Sequence, residues 1–200
     1  MIKYLFVDRD GTIIIDKHYL SNPAEIELIP HVATALQALQ QKNIQLFLVT
    51  NQSGIGRGYF KKEALFACNK ELEKQLAPYN INFVDMAYCP HAPEDNCSCR
   101  KPKLGMWEYL QKKYNIDPSQ CAMIGDKKED VLFGINANFA YSCLVQTGKG
   151  QKTADSLSFS FDTDFFPIQS TLFGQEKTNT LCYGAKQLIN FADFLINNIQ

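Results

Sequence analysis

The chain has 200 residues, long enough to bury a sizeable core in one domain, and its 46% hydrophobic and 20% charged residues are those of a globular protein. Disordered, collagen-like and fibrous classes are excluded. A formal net charge of −1 offers nucleic acid or anionic lipid no general attraction, so any anion binding must be local.

Residues 2–7, "IKYLFV", form a β-prone run ending in acids, too short for a signal-peptide core. With no other apolar run near the length of a membrane span, a soluble cytoplasmic protein without membrane contact is expected. A helix is predicted after Pro30, with Val32, Leu36 and Leu39 at helical spacing, and residues 44–50, "IQLFLVT", predict a second buried strand. Leu65, Cys68, Leu72 and Leu76 form the stripe of an amphipathic helix ending near Pro78. Residues 82–89 predict a third strand, followed by a helix from Gly105 carrying Trp107, Leu110 and Tyr114. Residues 121–126 predict a fourth strand, "KKEDVLFGINAN" a helix, and residues 140–146 a fifth strand. Such alternation implies an α/β, doubly wound, mainly parallel sheet.

Past Gly150 the pattern weakens. "DSLSFSFDTDFFP" (155–167) alternates polar and aromatic residues, as in an edge strand or short hairpin, and residues 172–181 read as loop. The last helix places Leu188, Phe191, Leu195 and Ile199 on one stripe. With no repeat, low-complexity tract or linker, the chain reads as a single domain over 1–200, with a core over 1–150 and an extension over 151–200. Cys68, Cys121, Cys143 and Cys182 lie in mostly apolar surroundings and read as small buried hydrophobes.

Parallel sheets bind ligands at the carboxyl ends of their strands. Those ends here carry Asp8 and Asp10, Thr50 and Asn51, Cys89, and Asp126. In "DRDGT", Asp8 and Asp10 are two apart and can face one site, while Gly11 permits a sharp turn. Two such carboxylates repel unless a cation intervenes, and Mg²⁺ with Asp126 as a further ligand satisfies them. Alone, the two acids would read as a solvated turn. Thr50 and Asn51 suit phosphate oxygens, and Asp130, one helical turn beyond Asp126, is placed to support it.

"CPHAPEDNCSCRKP" (89–102) is the densest chemistry in the chain. Cys89, His91, Cys97 and Cys99 fit a closed tetrahedral Zn²⁺ site, with a disulfide as the rival reading. A catalytic zinc is disfavoured because no ligand position stays open. The clasp would order Arg100 and Lys101, which follow the last ligand directly.

The order "DRDGT … VTN … RKP … GDKKED" resembles the haloacid dehalogenase (HAD) superfamily of phosphotransferases over residues 1–150. The resemblance implies a Rossmann-like core and a phosphomonoesterase in which Asp8 is the nucleophile forming an aspartyl-phosphate. It implies that Asp10 protonates the leaving oxygen and then activates water, that Thr50 and Lys101 hold the phosphoryl group, and that Asp126 binds Mg²⁺ with Asp8 and the Asp10 carbonyl. An acid at position 10 favours hydrolysis of the intermediate. About forty residues separate Asp8 from Thr50, too few for a cap domain, so a fairly open site is expected with the zinc loop as its main wall.

Capless, zinc-looped members include the D-glycero-D-manno-heptose 1,7-bisphosphate 7-phosphatases, of envelope-glycan (lipopolysaccharide) heptose synthesis, and the histidinol-phosphatase domain. "NQSGIGRGYF" (51–60), "RKPKLGM" and "VQTGKG" look like the heptose enzymes, and in that context Arg57 and Arg100 are candidates for a second phosphate. The short span from His91 to Cys97 is more like the histidinol loop, Leu104 stands where the heptose group usually has Pro, and residues 152–183 match neither. The favoured expectation is a monomeric sugar-bisphosphate phosphatase, against a histidinol-phosphate phosphatase and, last, a non-catalytic zinc-stabilised binding module. "TGKG" (147–150) lacks the pattern of a nucleotide loop. His18 and His31 are expected to be structural or at the surface, and Asp16 and Tyr19 to line the sugar pocket.

Overall fold

The protein, seen in a computed structural model, is described over residues 1–198; the predicted Ile199 lies outside the described residues. The central strand β1 (Tyr4–Val7) is flanked by β2 (Gln45–Asn51) and β4 (Cys121–Gly125), both parallel to it. Outward on one side lies β3 (Phe83–Cys89); on the other come β5 (Tyr141–Val145), β7 (Leu181–Ala185) and the antiparallel edge β6 (Phe165–Ile168). The sheet order is β3-β2-β1-β4-β5-β7-β6.

The alternation of side chains along β1 decides which helices sit where. Leu5 and Val7 point into one cluster with α1 (Val32–Gln41), α3 (Lys62–Leu76) and α7 (Leu188–Asn197). Phe6 points the other way, against Trp107 of α4 (Gly105–Tyr114) and Phe133 of α5 (Lys128–Asn136). Both faces are covered, which is why the strand is a continuous apolar run. Leu65, Cys68, Leu72 and Leu76 are all fully buried, as their spacing required. Among the described residues, no helix is long and apolar enough to cross a membrane.

Beyond Gly150 the structure differs from the sequence expectation. Residues Gly150–Ser156 are a helix, α6, and the predicted edge strand is confined to Phe165–Ile168. Leu181, assigned to loop, starts β7, which runs parallel to β5 inside the sheet. A strand holding Gly184 has little β signal of its own. The glycine makes room for the Phe166 ring on the edge strand, which would have to shift if a Cβ stood there. A third apolar cluster, with Val131, Leu144, Ala154, Phe161 and Phe173, ties this region to α5 and β5.

Candidate active site

Asp8 continues the pairing of β1, its N–H donating to the Ile124 carbonyl at 3.0 Å, so its direction is set by the sheet. Asp126 leaves β4 beside it, and Asp130 stands on the first turn of α5, its carboxylate accepting the Lys127 N–H at 3.0 Å. One oxygen from each of Asp8, Asp126 and Asp130 lies within 4.8 Å of the others, and all three residues are buried. Such a cluster must be neutralised. Lys101, also buried, reaches Asp8 Oδ1 at 2.7 Å, Asp130 Oδ1 at 2.6 Å and the Val49 carbonyl at 2.6 Å. Its ammonium is therefore fully used.

Two oxygens of the cluster are left over. Asp8 Oδ2 and Asp126 Oδ1 are buried without a hydrogen-bond partner. The Lys127 ammonium faces both, 3.2 Å from Asp126 Oδ1 and 3.9 Å from Asp8 Oδ2. Burial pushes the Asp126 carboxyl up to about 7, with Asp8 and Asp130 adding to the rise and Lys127 opposing it. Burial acts on Asp8 as well, but there Lys101 and Lys127 outweigh it and hold the group below the ordinary range. For Lys101 burial opposes the charge, yet Asp130 and Asp8 raise it above the usual lysine value. Hard oxygens, unpartnered and crowded, are the donor set of Mg²⁺.

Asp10 stands apart from this cluster. Its Oδ2 accepts from Gln52 Nε2 at 2.8 Å and from Arg9 Nε at 3.2 Å, and its Oδ1 from Arg9 Nη2 at 3.1 Å. Any metal contact from this residue is thus left to its backbone carbonyl. Gly11 has φ +87°, and a Cβ there would strike the Asp126 carboxylate; the same holds for Gly148, with φ +58°. The two glycines let the loop after β5 close on the first turn, where Thr147 Oγ1 donates to the Gly11 carbonyl at 2.7 Å. In the same loop the Lys149 N–H donates to Asp126 Oδ2 at 2.8 Å. "TGKG" is part of the acid site's frame.

Thr50 is buried at the end of β2, and its hydroxyl accepts from Gln52 Nε2 at 2.9 Å. Asn51 lines the cleft and also grips the backbone of Lys101: its Oδ1 accepts the Lys101 N–H at 3.0 Å and its Nδ2 donates to the Lys101 carbonyl at 3.2 Å. The amide aims the lysine.

Cys89, His91, Cys97 and Cys99 gather their ligand atoms within 4.8 Å. The sulfurs are 3.1 to 3.6 Å apart, and His91 Nδ1 is 3.2 Å from Cys99 Sγ. Those separations exceed an S–S bond of about 2.05 Å and match the edges of a tetrahedron around one ion. Burial opposes ionisation of the Cys97 thiol, but the Arg100 N–H and the neighbouring sulfurs bring it down to about 7, within reach of a thiolate. Arg100 donates to the His91 carbonyl at 3.4 Å, so the loop orders the cation after it.

Above these groups lies a cleft of about 730 Å³. Asp8, Asp10, Thr50 and Lys101 line it, as do Arg57 and Arg100 on the side of the Cys/His loop. That loop is one wall among three. Asp16, His18 and Tyr19 form another, and Lys149, Lys152 and Ser156, with α6, the third. His18, expected to be structural or at the surface, and the anticipated Asp16 and Tyr19 all reach the cleft. Asp16 holds the His18 N–H at 3.0 Å and Lys149 Nζ at 3.3 Å. Arg57 is paired with Glu94 at 3.0 Å. His31 is exposed and starts α1.

Sequence reasoning missed Arg9, Gln52, Lys127 and Lys149. Each sits beside a residue that was singled out, and that adjacency was the available signal.

A family profile described as HAD-hydrolase-like matches residues 98–166. The D-glycero-beta-D-manno-heptose-1,7-bisphosphate 7-phosphatase of Haemophilus ducreyi is 42% identical over 165 residues, covering 76% of this chain and 91% of that protein. The protein of the same name from Helicobacter pylori is 38% identical over 144 residues, with 72% and 83% covered. The solved D,D-heptose 1,7-bisphosphate phosphatase from B. bronchiseptica, complexed with magnesium and phosphate, superposes with a TM-score of 0.81 at 29% identity, covering 98% of this chain and 99% of that one.

Proposed function

Because this chain belongs to the family of D-glycero-D-manno-heptose-1,7-bisphosphate 7-phosphatases, HAD-type phosphomonoesterases, we propose that it is a Mg²⁺-dependent phosphatase that removes the 7-phosphate of that sugar bisphosphate. The observation that carries this reading is the buried acid cluster, in which Asp8 Oδ2 and Asp126 Oδ1 have the Lys127 ammonium as counter-charge, set beside a buried lysine beneath a polar cleft.

In the proposed reaction the Asp8 carboxylate attacks phosphorus while the ester P–O bond breaks, and Asp10 delivers its proton to the departing sugar oxygen. Asp10 then takes a proton from the water that attacks the aspartyl-phosphate, which restores Asp8 and releases inorganic phosphate. Lys101, exchanging its Asp8 contact for the phosphoryl group, and Thr50 hold the equatorial oxygens, with Asn51 fixing the lysine's backbone and Asp130 its ammonium. Asp8, Asp126 and the Asp10 carbonyl would hold Mg²⁺, which when bound neutralises charge on the carboxylates and the phosphoryl oxygens. Lys127 carries part of that charge balance within the chain itself.

Arg57 and Arg100 are proposed to meet the second, unreacting phosphate, Arg57 exchanging Glu94 for it. Cys89, His91, Cys97 and Cys99 are proposed to hold a structural Zn²⁺, supported by their convergence and by the lack of a fifth donor among them.

The test is phosphate release with Mg²⁺ from both anomers of heptose 1,7-bisphosphate and from histidinol phosphate, with Asp8→Asn as the blank. Strong preference for the heptose is expected. Preference for histidinol phosphate would transfer the chain to that activity.

A further inference from the structure

The side chain of Gln52 is buried at the end of β2, between two groups the proposed chemistry uses. Its Nε2 lies 2.8 Å from Asp10 Oδ2 and 2.9 Å from Thr50 Oγ1. A carboxylate only accepts, so the amide end facing Asp10 must be the NH₂, and its second proton goes to Thr50. The threonine oxygen is then an acceptor toward Gln52, and its own hydroxyl proton is left for another partner. Thr50 lines the cleft, so that proton is available to an anionic oxygen bound there.

Asp10 is arranged by the same contact. Oδ2 takes Gln52 and the Arg9 guanidinium together, whereas Oδ1 has Arg9 Nη2 as its one donor among the described residues. Oδ1 is therefore the oxygen with room for the transferable proton. Arg9 is itself anchored by Asn69 Oδ1 at 2.9 Å, and the Gln52 backbone by the Cys89 carbonyl at 2.7 Å. Both halves of the clamp are fixed from outside the cleft.

We propose that Gln52 is a positioning residue that holds Asp10 for proton delivery and, through the same amide nitrogen, turns the Thr50 hydroxyl outward as a donor to the phosphoryl group. This rests on the phosphomonoesterase reading above. It predicts a loss that depends on the leaving group, because p-nitrophenolate departs without a proton and a sugar alkoxide does not.

The experiment compares wild type, Gln52→Met and Gln52→Glu on p-nitrophenyl phosphate and on the best alkyl phosphate substrate, with inorganic phosphate as inhibitor. For Gln52→Met, kcat on the alkyl ester should fall about 30-fold or more, and on p-nitrophenyl phosphate by only about 3-fold. In Gln52→Glu, nearly isosteric, the Thr50 hydroxyl turns to donate to the new carboxylate, so inhibition by phosphate should weaken about tenfold. Equal losses on the two esters would overturn the Asp10 half, and unchanged phosphate inhibition in Gln52→Glu the Thr50 half. If Gln52→Met fails to fold, the Gln52→Glu ester ratio decides the first half in its place. Wild type inert toward every ester would instead remove the phosphatase reading on which the inference stands.

Discussion

The acid cluster at the strand ends and the Cys/His cluster at the end of β3 and on the loop after it are both suited to a divalent cation, but the fold holds them differently. The acids are buried and come with cations of their own: Lys101 joins Asp8 to Asp130, and Lys127 faces the two spare oxygens. They also sit at the ends of strands that the sheet holds regardless. Cys89 ends β3, but His91, Cys97 and Cys99 lie on the loop after it, where the regular structure is the short helical turn Pro93–Asp95. A metal in the first place does chemistry on a fold already made; in the second it makes the local fold.

The sharpest way to break that contrast is Asp8→Asn. Activity should fall by about 10⁴-fold or more on the nucleophile argument, while the melting temperature drops only modestly, because Lys101 loses Asp8 but keeps Asp130 and the Val49 carbonyl as partners. Phosphate release and a thermal melt read the two together, and a large fall in Tm would show that the acid cluster also holds the fold. Cys97→Ser should do the reverse. Metal analysis should find zinc lost and Tm lowered by about 5 °C or more, with activity reduced through the looser Arg100–Lys101 segment. Retained zinc at full rate would dismiss the clasp.

A smaller effect separates the sites by pH. The Asp126 carboxyl moves from an ordinary value of 3.8 to about 7 in the fold, so the folded metal-free chain holds a proton there that the unfolded chain has released. That contribution to stability falls as pH rises from about 4 to about 7. Mg²⁺ binds the ionised form, so the rise in Tm on adding Mg²⁺ should be larger at pH 8 than at pH 6. An equal rise at both would mean that Asp126 is not a ligand. The smallest effect is that of Lys127→Met, which removes the internal counter-charge. Mg²⁺ affinity, measured by calorimetry, should tighten about threefold and the metal-free Tm should drop slightly. Weaker binding would show that the lysine assists the ion.

The five strands over residues 1–150 were legible because β1, β2, β4 and β5 are buried apolar runs and the half-buried edge strand β3 is β-prone apart from Asp85, each with a polar exit. The same property exposed Asp8, Thr50, Cys89 and Asp126: residues at strand ends on one edge must meet, whatever the details. The Cys/His group was legible because its four members are local. Beyond residue 150 the reading failed on α6, a polar helix, and on β7, whose strand character comes from its place between β5 and β6.

What the sequence determined by itself was the parallel sheet, the edge that carries the site and the acids and thiols that populate it, because these follow from periodicity and short-range spacing. What only the tertiary structure decided was how each group is used. Asn51 clasps the Lys101 backbone, and Gln52 meets Asp10 and Thr50 with one nitrogen. Gly148 admits the loop after β5 to the first turn. Those pairings join residues 42, 50 or 136 positions apart, or turn on which end of an amide faces a carboxylate, and no local pattern encodes either.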